Sequence, residues 1–161
     1  MKEIKLTQGK VALVDDEDYD WLRQWKWQAH KSRYNYYVDV SVYDSEGKQS
    51  TLKMASLIMP PQEGYVVDHI DGDTLNNQKS NLRICTPSQN CANRKRKGIR
   101  KYTSRFKGVF YHKWHKRWVA MVCKNHIKVY YKYFKTELDA AKAYDKAAKM
   151  IHGEFANLNF K

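Results

Sequence analysis

Residues 66–93 restrict what this chain can fold into more than any other stretch. Val66 to Ile70 has a strand-like pattern, and Leu82 to Cys85 repeats it. Between them lies a polar loop that starts Asp71-Gly72-Asp73-Thr74-Leu75-Asn76-Asn77, rich in residues that tolerate turn geometry. Thr86-Pro87-Ser88-Gln89 then starts a helix with three agreeing signals: a Thr N-cap, Pro at the first helical position and Gln three residues after the cap. A strand, a loop, a second strand and a capped helix form one folded-back unit. Asp68, His69 and Asn90 stand where such a unit brings side chains together.

The residue types suggest a chemistry. Asp68 offers a hard anionic oxygen and Asn90 a neutral amide oxygen, a donor pair suited to one Mg²⁺ or Mn²⁺ ion. Two protein ligands leave coordination positions for water and phosphate oxygens. His69, with an ordinary pKa of about 6.5, can take a proton from an attacking water near neutral pH. Asn81 is placed to tie the loop by bonds to backbone, and Arg83 fits a phosphate contact or an ordinary strand arginine equally. An isolated Asp-His pair would more often be structural; the whole spacing carries the argument.

The rest of the chain reads as an α+β protein with two parts. Short strands at Ile4 to Leu6 and Val11 to Val14 precede a short helix with Tyr19, Trp21, Leu22 and Trp25 on its apolar positions. Trp25 and Trp27 are expected in the core. Tyr34 to Tyr43 and Ser50 to Leu57 are expected as a strand pair around Ser45-Glu46-Gly47-Lys48, ended by Pro60-Pro61. From Lys107 the pattern predicts three strands, 107–113, 117–124 and 127–134. A helix follows, from the cap Thr136 to Gly153, with Leu138, Ala141, Tyr144, Ala148 and Ile151 as its apolar stripe. The expected domains are therefore 1–97, with the strand-loop-strand-helix motif at about 66–97, a basic linker at 98–106, and 107–161 as a three-stranded antiparallel sheet packed on one helix.

Charge indicates a partner for the second part. Of 30 Lys and Arg against 17 Asp and Glu, residues 94–107 hold 8 basic and no acidic groups, and residues 108–161 hold 11 and 4. Residues 1–67 are nearly balanced, at 9 and 10. A polyanion accounts for that asymmetry better than solubility does, because neutralised phosphates release counterions. Cys85, Cys91 and Cys123 form no C-x-x-C pair, which suits reduced thiols in a cytoplasmic setting. The first residues lack a signal-peptide pattern, and no run approaches membrane-spanning length.

Val67-Asp68-His69-Ile70-Asp71-Gly72-Asp73, with Asn81-Leu82-Arg83 and Gln89-Asn90, resembles the HNH homing-type endonucleases with a ββα-metal site, in the variant with Asn replacing the last His. The resemblance implies Asp68 and Asn90 as metal ligands, His69 as general base and Asn81 as the loop-fixing residue. Leu6 to Ala12 and Trp25-Lys26-Trp27 are also similar to the start of such phage-type enzymes. A His-Arg pair common there is replaced here by Ala55-Ser56, so support from that pair is missing.

Ser104 to Phe160 resembles the AP2/ERF DNA-binding domain at Lys107-Gly108-Val109, Trp118, Phe134-Lys135-Thr136, Ala140 to Asp145 and Leu158-Asn159-Phe160. That resemblance implies a sheet facing double-stranded DNA through Lys107, Phe110, His112, Trp114, Cys123, Lys128 and Tyr130. Arg94, Lys95, Arg96, Lys97, Arg100, Lys101 and Arg105 would add phosphate contacts. The expected activity is metal-dependent DNA cleavage by a monomer or homodimer. The competing reading is a DNA-binding regulator whose nuclease part is inactive.

Overall fold

In the computed structural model, residues 1–32, 35–95 and 103–160 are described. The chain divides into two compact units, Met1–Pro87 and Ser88–Lys161.

In the first unit, β1 (Lys2–Lys5) and β2 (Val11–Val14) pair antiparallel and lead into α1 (Asp16–Leu22). Strands β3 (Gln28–Lys31), β4 (Tyr36–Tyr43) and β5 (Gln49–Lys53) form a second antiparallel sheet, followed by α2 (Met54–Ile58). The last pair is β6 (Val66–His69) with β7 (Leu82–Cys85), in the register Asp68 opposite Arg83 and His69 opposite Leu82. Ile4, Ala12, Val14, Leu22, Trp27, Val38, Val40 and Met54 make one core. Alternation on β2 and β4 points every second side chain into it.

The first unit departs from the sequence pattern at residues 54–58, at β3 and at Trp25. Residues 54–58 are helical, not the end of a strand, because Met, Ala and Leu favour helix and the turn buries Met54 and Ala55. Strand β3 has no strong period of its own and forms by pairing with β4. Trp25 is exposed, while Trp27 is buried and its Nε1 donates to the Leu22 carbonyl at 2.7 Å.

The second unit begins with α3 (Pro87–Asn93), whose start the sequence marks at Thr86. Strands β8 (Val109–His112), β9 (Arg117–Lys124) and β10 (Ile127–Phe134) form an antiparallel sheet in the order β10-β9-β8, and α4 (Glu137–His152) covers one face. Thr136 caps α4 as predicted, its Oγ1 accepting from the Asp139 N–H at 3.1 Å. The helix buries Ala140, Ala141, Tyr144, Ala147 and Ala148 against Val109, Ala120 and Val122. Leu138 is exposed, so the buried stripe starts half a turn later than expected. Within this unit α3 bonds to later residues, Lys107 and Asn157.

Candidate active site and DNA-binding face

The β6-β7 hairpin buries Asp68 and His69, neighbours at the end of β6. Each has its own hydrogen-bond partner, while the Asp68 charge still acts on the imidazole. On one face the cross-strand partner Arg83 holds Asp68: Nε and Nη2 lie 3.0 and 2.9 Å from Oδ2. Both side chains are largely buried, so each neutralises a charge that would be costly alone. Arg83 is thus the ion-pair partner of the Asp68 carboxylate in this arrangement.

On the other face His69 Nε2 lies 3.3 Å from Asn77 Oδ1. The Asn77 amide is oriented, since its Nδ2 donates to the Leu75 carbonyl at 3.2 Å. Its oxygen must therefore face the ring, Nε2 must donate, and Nδ1 is the basic nitrogen. Burial lowers the His69 pKa below its ordinary 6.5, against the raising effects of Asn77 and of Asp68, Asp71 and Asp73. The neutral imidazole is thus the form present near pH 7.

The sequence does not single out Asn77, because Asn76-Asn77 passes for a turn. Only 1% of it is exposed. Its backbone is held from outside the hairpin: the Asn77 N–H donates to the Leu13 carbonyl at 2.8 Å, and the Leu13 N–H to the Leu75 carbonyl at 2.9 Å. The loop is thereby added as a short parallel bridge to β2. Asp15 accepts from Gln78 Nε2 and the Lys79 N–H, at 3.1 and 2.7 Å. Asn81 closes the loop, with Oδ1 accepting from the Asp71 N–H at 3.0 Å and Nδ2 donating to the Asn76 carbonyl at 2.8 Å. Replacing Asn77 by Ala should leave a buried Nε2–H without that acceptor and cost about 2 kcal/mol of stability. A thermal melt checks it; an unchanged Tm would discount the bond.

Asn90 lies on α3, half-buried, at the start of the second unit. Asp68 and Asn90 are oxygen donors, a chemistry that fits a hard divalent cation. Among the described residues, no group of three or more His, Cys, Asp or Glu could hold a metal ion.

The second unit presents an open sheet face opposite α4. Phe110, His112, Tyr131 and Tyr133 form an aromatic cluster there, with His115 from the β8-β9 turn; His112 and His115 centroids are 4.6 Å apart, Phe110 and Tyr131 6.3 Å. Trp114 protrudes from the same turn, 93% exposed. Lys128 Nζ lies 5.9 Å from the Tyr131 ring centroid, and Cys123 pairs across from Lys128.

Two residues expected on the DNA face lie elsewhere in the structure. Tyr130 packs on the helix-side core, because an irregularity between Lys128 and Tyr130 shifts the register and turns Tyr131 outward. Lys107 is half-buried and its Nζ donates to the Ala92 carbonyl, so its charge is directed inward. Arg94, Lys95 and Arg105 are exposed, with the Arg105 guanidinium 5.0 Å from the Phe106 ring centroid. Arg96, Lys97, Arg100 and Lys101 lie outside the described residues. No helix among the described residues is long and apolar enough to cross a membrane.

Comparison with known proteins agrees with both halves. A family model described as HNH endonuclease matches residues 60–92, and an AP2 domain model matches residues 104–154. An uncharacterized HNH endonuclease of Acanthamoeba polyphaga mimivirus is 34% identical over 155 residues, covering 94% of this chain and 75% of that protein. Protein 3.8 of Escherichia phage T7 is 38% identical over 63 residues, 39% of this chain and 50% of its own length. No solved structure matches. HNH endonucleases generally use a divalent metal. With similarity to a named nuclease running through nearly all of its length, the chain belongs to the HNH endonucleases and joins that nuclease to an AP2 DNA-binding domain.

Proposed function

We propose that the chain hydrolyses a DNA phosphodiester bond, with His69 as the general base and a divalent cation, Mg²⁺ or Mn²⁺, held by Asp68 and Asn90. The observation that carries this reading is the His69–Asn77 pair: one ring nitrogen is committed as donor and burial keeps the ring neutral. His69 Nδ1 would take a proton from water as the water oxygen bonds to phosphorus and the 3′ oxygen leaves. The cation, when bound, would supply charge stabilisation at the phosphate and the leaving oxygen. Arg83 would keep the Asp68 carboxylate in one orientation, and Asn81 would hold the loop closed under His69.

The AP2 domain would hold double-stranded DNA on the open sheet face, through Phe110, His112, Trp114, Lys128 and, in place of Tyr130, Tyr131 and Tyr133. Exposed aromatic surface gathered on one sheet face, with Lys128 beside it, supports that role. One such site per chain would nick as a monomer and cut both strands only as a homodimer.

The test is supercoiled plasmid treated with the protein in Mg²⁺ or in EDTA. Nicking or linearisation in Mg²⁺ alone is expected; equal cutting in EDTA would sink the metal assignment. Neutralising Arg94 to Lys97 should weaken duplex binding and reduce the slope of log K against log salt by about 0.9 for each phosphate no longer neutralised. An unchanged slope would remove those residues from the interface.

A further inference from the structure

Helix α3 carries Asn90 and ends at Asn93, and a helix end leaves its last carbonyls without partners inside the helix. Two side chains from the body of the second unit meet those carbonyls. Lys107 Nζ donates to the Ala92 carbonyl, and Asn157 Nδ2 donates to the Asn93 carbonyl at 2.7 Å. A cation at a helix C-terminus also opposes the negative end of the helix dipole. Near the helix start, the Asn125 N–H donates to Ser88 Oγ at 3.3 Å.

The Lys107 anchor is itself fixed. Asn159 Oδ1 accepts from the Lys107 N–H at 2.6 Å, and Asn159 Nδ2 donates to the Lys107 carbonyl at 3.2 Å. Asp145 of α4 accepts from the Asn159 N–H and from Asn159 Nδ2, at 2.9 and 3.0 Å. An unbroken set of hydrogen bonds therefore runs from the long helix α4 through Asn159 and Lys107 to the end of α3. Burial lowers the Lys107 pKa to about 8, a cost that a solvent-facing phosphate-binding lysine would not bear. Such an arrangement suits a group that must be in one place, not one that tracks DNA.

We propose that Lys107 and Asn157 are positioning residues for Asn90. They hold the C-terminal turn of α3, two and three residues beyond Asn90, so that the amide oxygen keeps one position on the DNA-binding unit. The inference rests on the reading of Asn90 as a cation ligand. It gives Lys107 a role in the nuclease reaction, not in DNA contact.

The test compares full-length wild type with Lys107→Met, Lys107→Arg, Asn157→Ala and Asn90→Ala. Plasmid nicking is measured across a Mg²⁺ series, duplex binding in EDTA, and Mn²⁺ binding to the DNA-free protein by calorimetry. Lys107→Met and Asn157→Ala should raise the Mg²⁺ midpoint about tenfold, the scale seen when groups supporting a metal ligand are removed. Mn²⁺ binding should weaken to match, while duplex affinity stays within about twofold and nicking recovers at saturating Mg²⁺. Lys107→Arg keeps a cationic donor and should shift the midpoint less than Lys107→Met. Should Lys107→Met fail to fold, Asn157→Ala carries the comparison alone. Wild-type midpoints in the anchor variants beside a shifted Asn90→Ala would overturn the positioning role. A wild-type midpoint in Asn90→Ala would instead overturn the ligand assignment, and the inference with it.

Discussion

Replacing His69 by Ala is expected to lower DNA nicking by about a hundred- to ten-thousandfold, the range for loss of a general base, with duplex binding unchanged. His69 belongs to the first unit and the aromatic sheet face assigned to DNA to the second, so cutting and binding should separate. Plasmid nicking beside a gel-shift assay measures both. Cutting at the wild-type rate would remove His69 from the reaction. The wild-type rate should also reach its plateau at lower pH than an exposed imidazole would set, because burial lowers the His69 pKa and the base must be neutral. An acid limb centred above pH 6.5 would contradict that.

The companion variant at Asp68 needs care. Asp68→Ala would leave Arg83 buried without its carboxylate, a change that costs about 3 to 5 kcal/mol in comparable pairs. Asp68→Asn keeps an acceptor for Arg83 while removing the anionic oxygen. It is the better probe of cation binding.

The largest expected effect on stability lies in the second unit, at Gly108. Its φ is +68°, and a Cβ there would stand 2.0 Å from Tyr144 Cε2 and 2.9 Å from the Met121 carbonyl oxygen. Tyr144 is buried beneath the sheet, and the Gly108 carbonyl accepts from the Met121 N–H at 2.8 Å, so neither side can yield easily. Left-handed backbone costs about 1 to 2 kcal/mol for a residue with a Cβ, and overpacking about 1 to 3 kcal/mol more. Gly108→Ala should therefore cost about 2 to 5 kcal/mol, a large share of the stability of a unit of this size. Hydrogen exchange in the full chain should show protection lost across residues 109–134 while the first unit stays protected, together with loss of duplex binding. Wild-type protection there would mean that Tyr144 moves aside at little cost.

Much of this arrangement can be read from sequence where a local rule and the tertiary contact agree. Strand 117–124 appears with the predicted bounds because period-two alternation coincides with one covered face, and 127–134 pairs with it along its length. The cap Thr136 and Gly153 bracket α4 because end chemistry is local. The β6-β7 pair is likewise legible, and the matched family regions follow from the same motifs. The features that sequence does not reveal depend on contacts distant along the chain. One irregular position in β10 exchanges Tyr130 for Tyr131 on the open face, and no pattern of apolar residues marks such a shift. Lys107 looks like one more cation in a basic run, and only its carbonyl partner distinguishes it. Asn77 is set apart from its neighbour Asn76 by its bond to His69 and by the Leu13 carbonyl that holds its backbone.

That hold of Leu13 on the loop limits how the nuclease motif can be transplanted. A graft of the family-matched segment 60–92 onto another DNA-binding protein would carry Asp68, His69, Asn81 and Asn90 but leave Leu13 and Asp15 behind. The orienting Asn77 would arrive without the strand that holds it. A working chimera should need the N-terminal hairpin as well, so the smallest portable cutting module begins at β1.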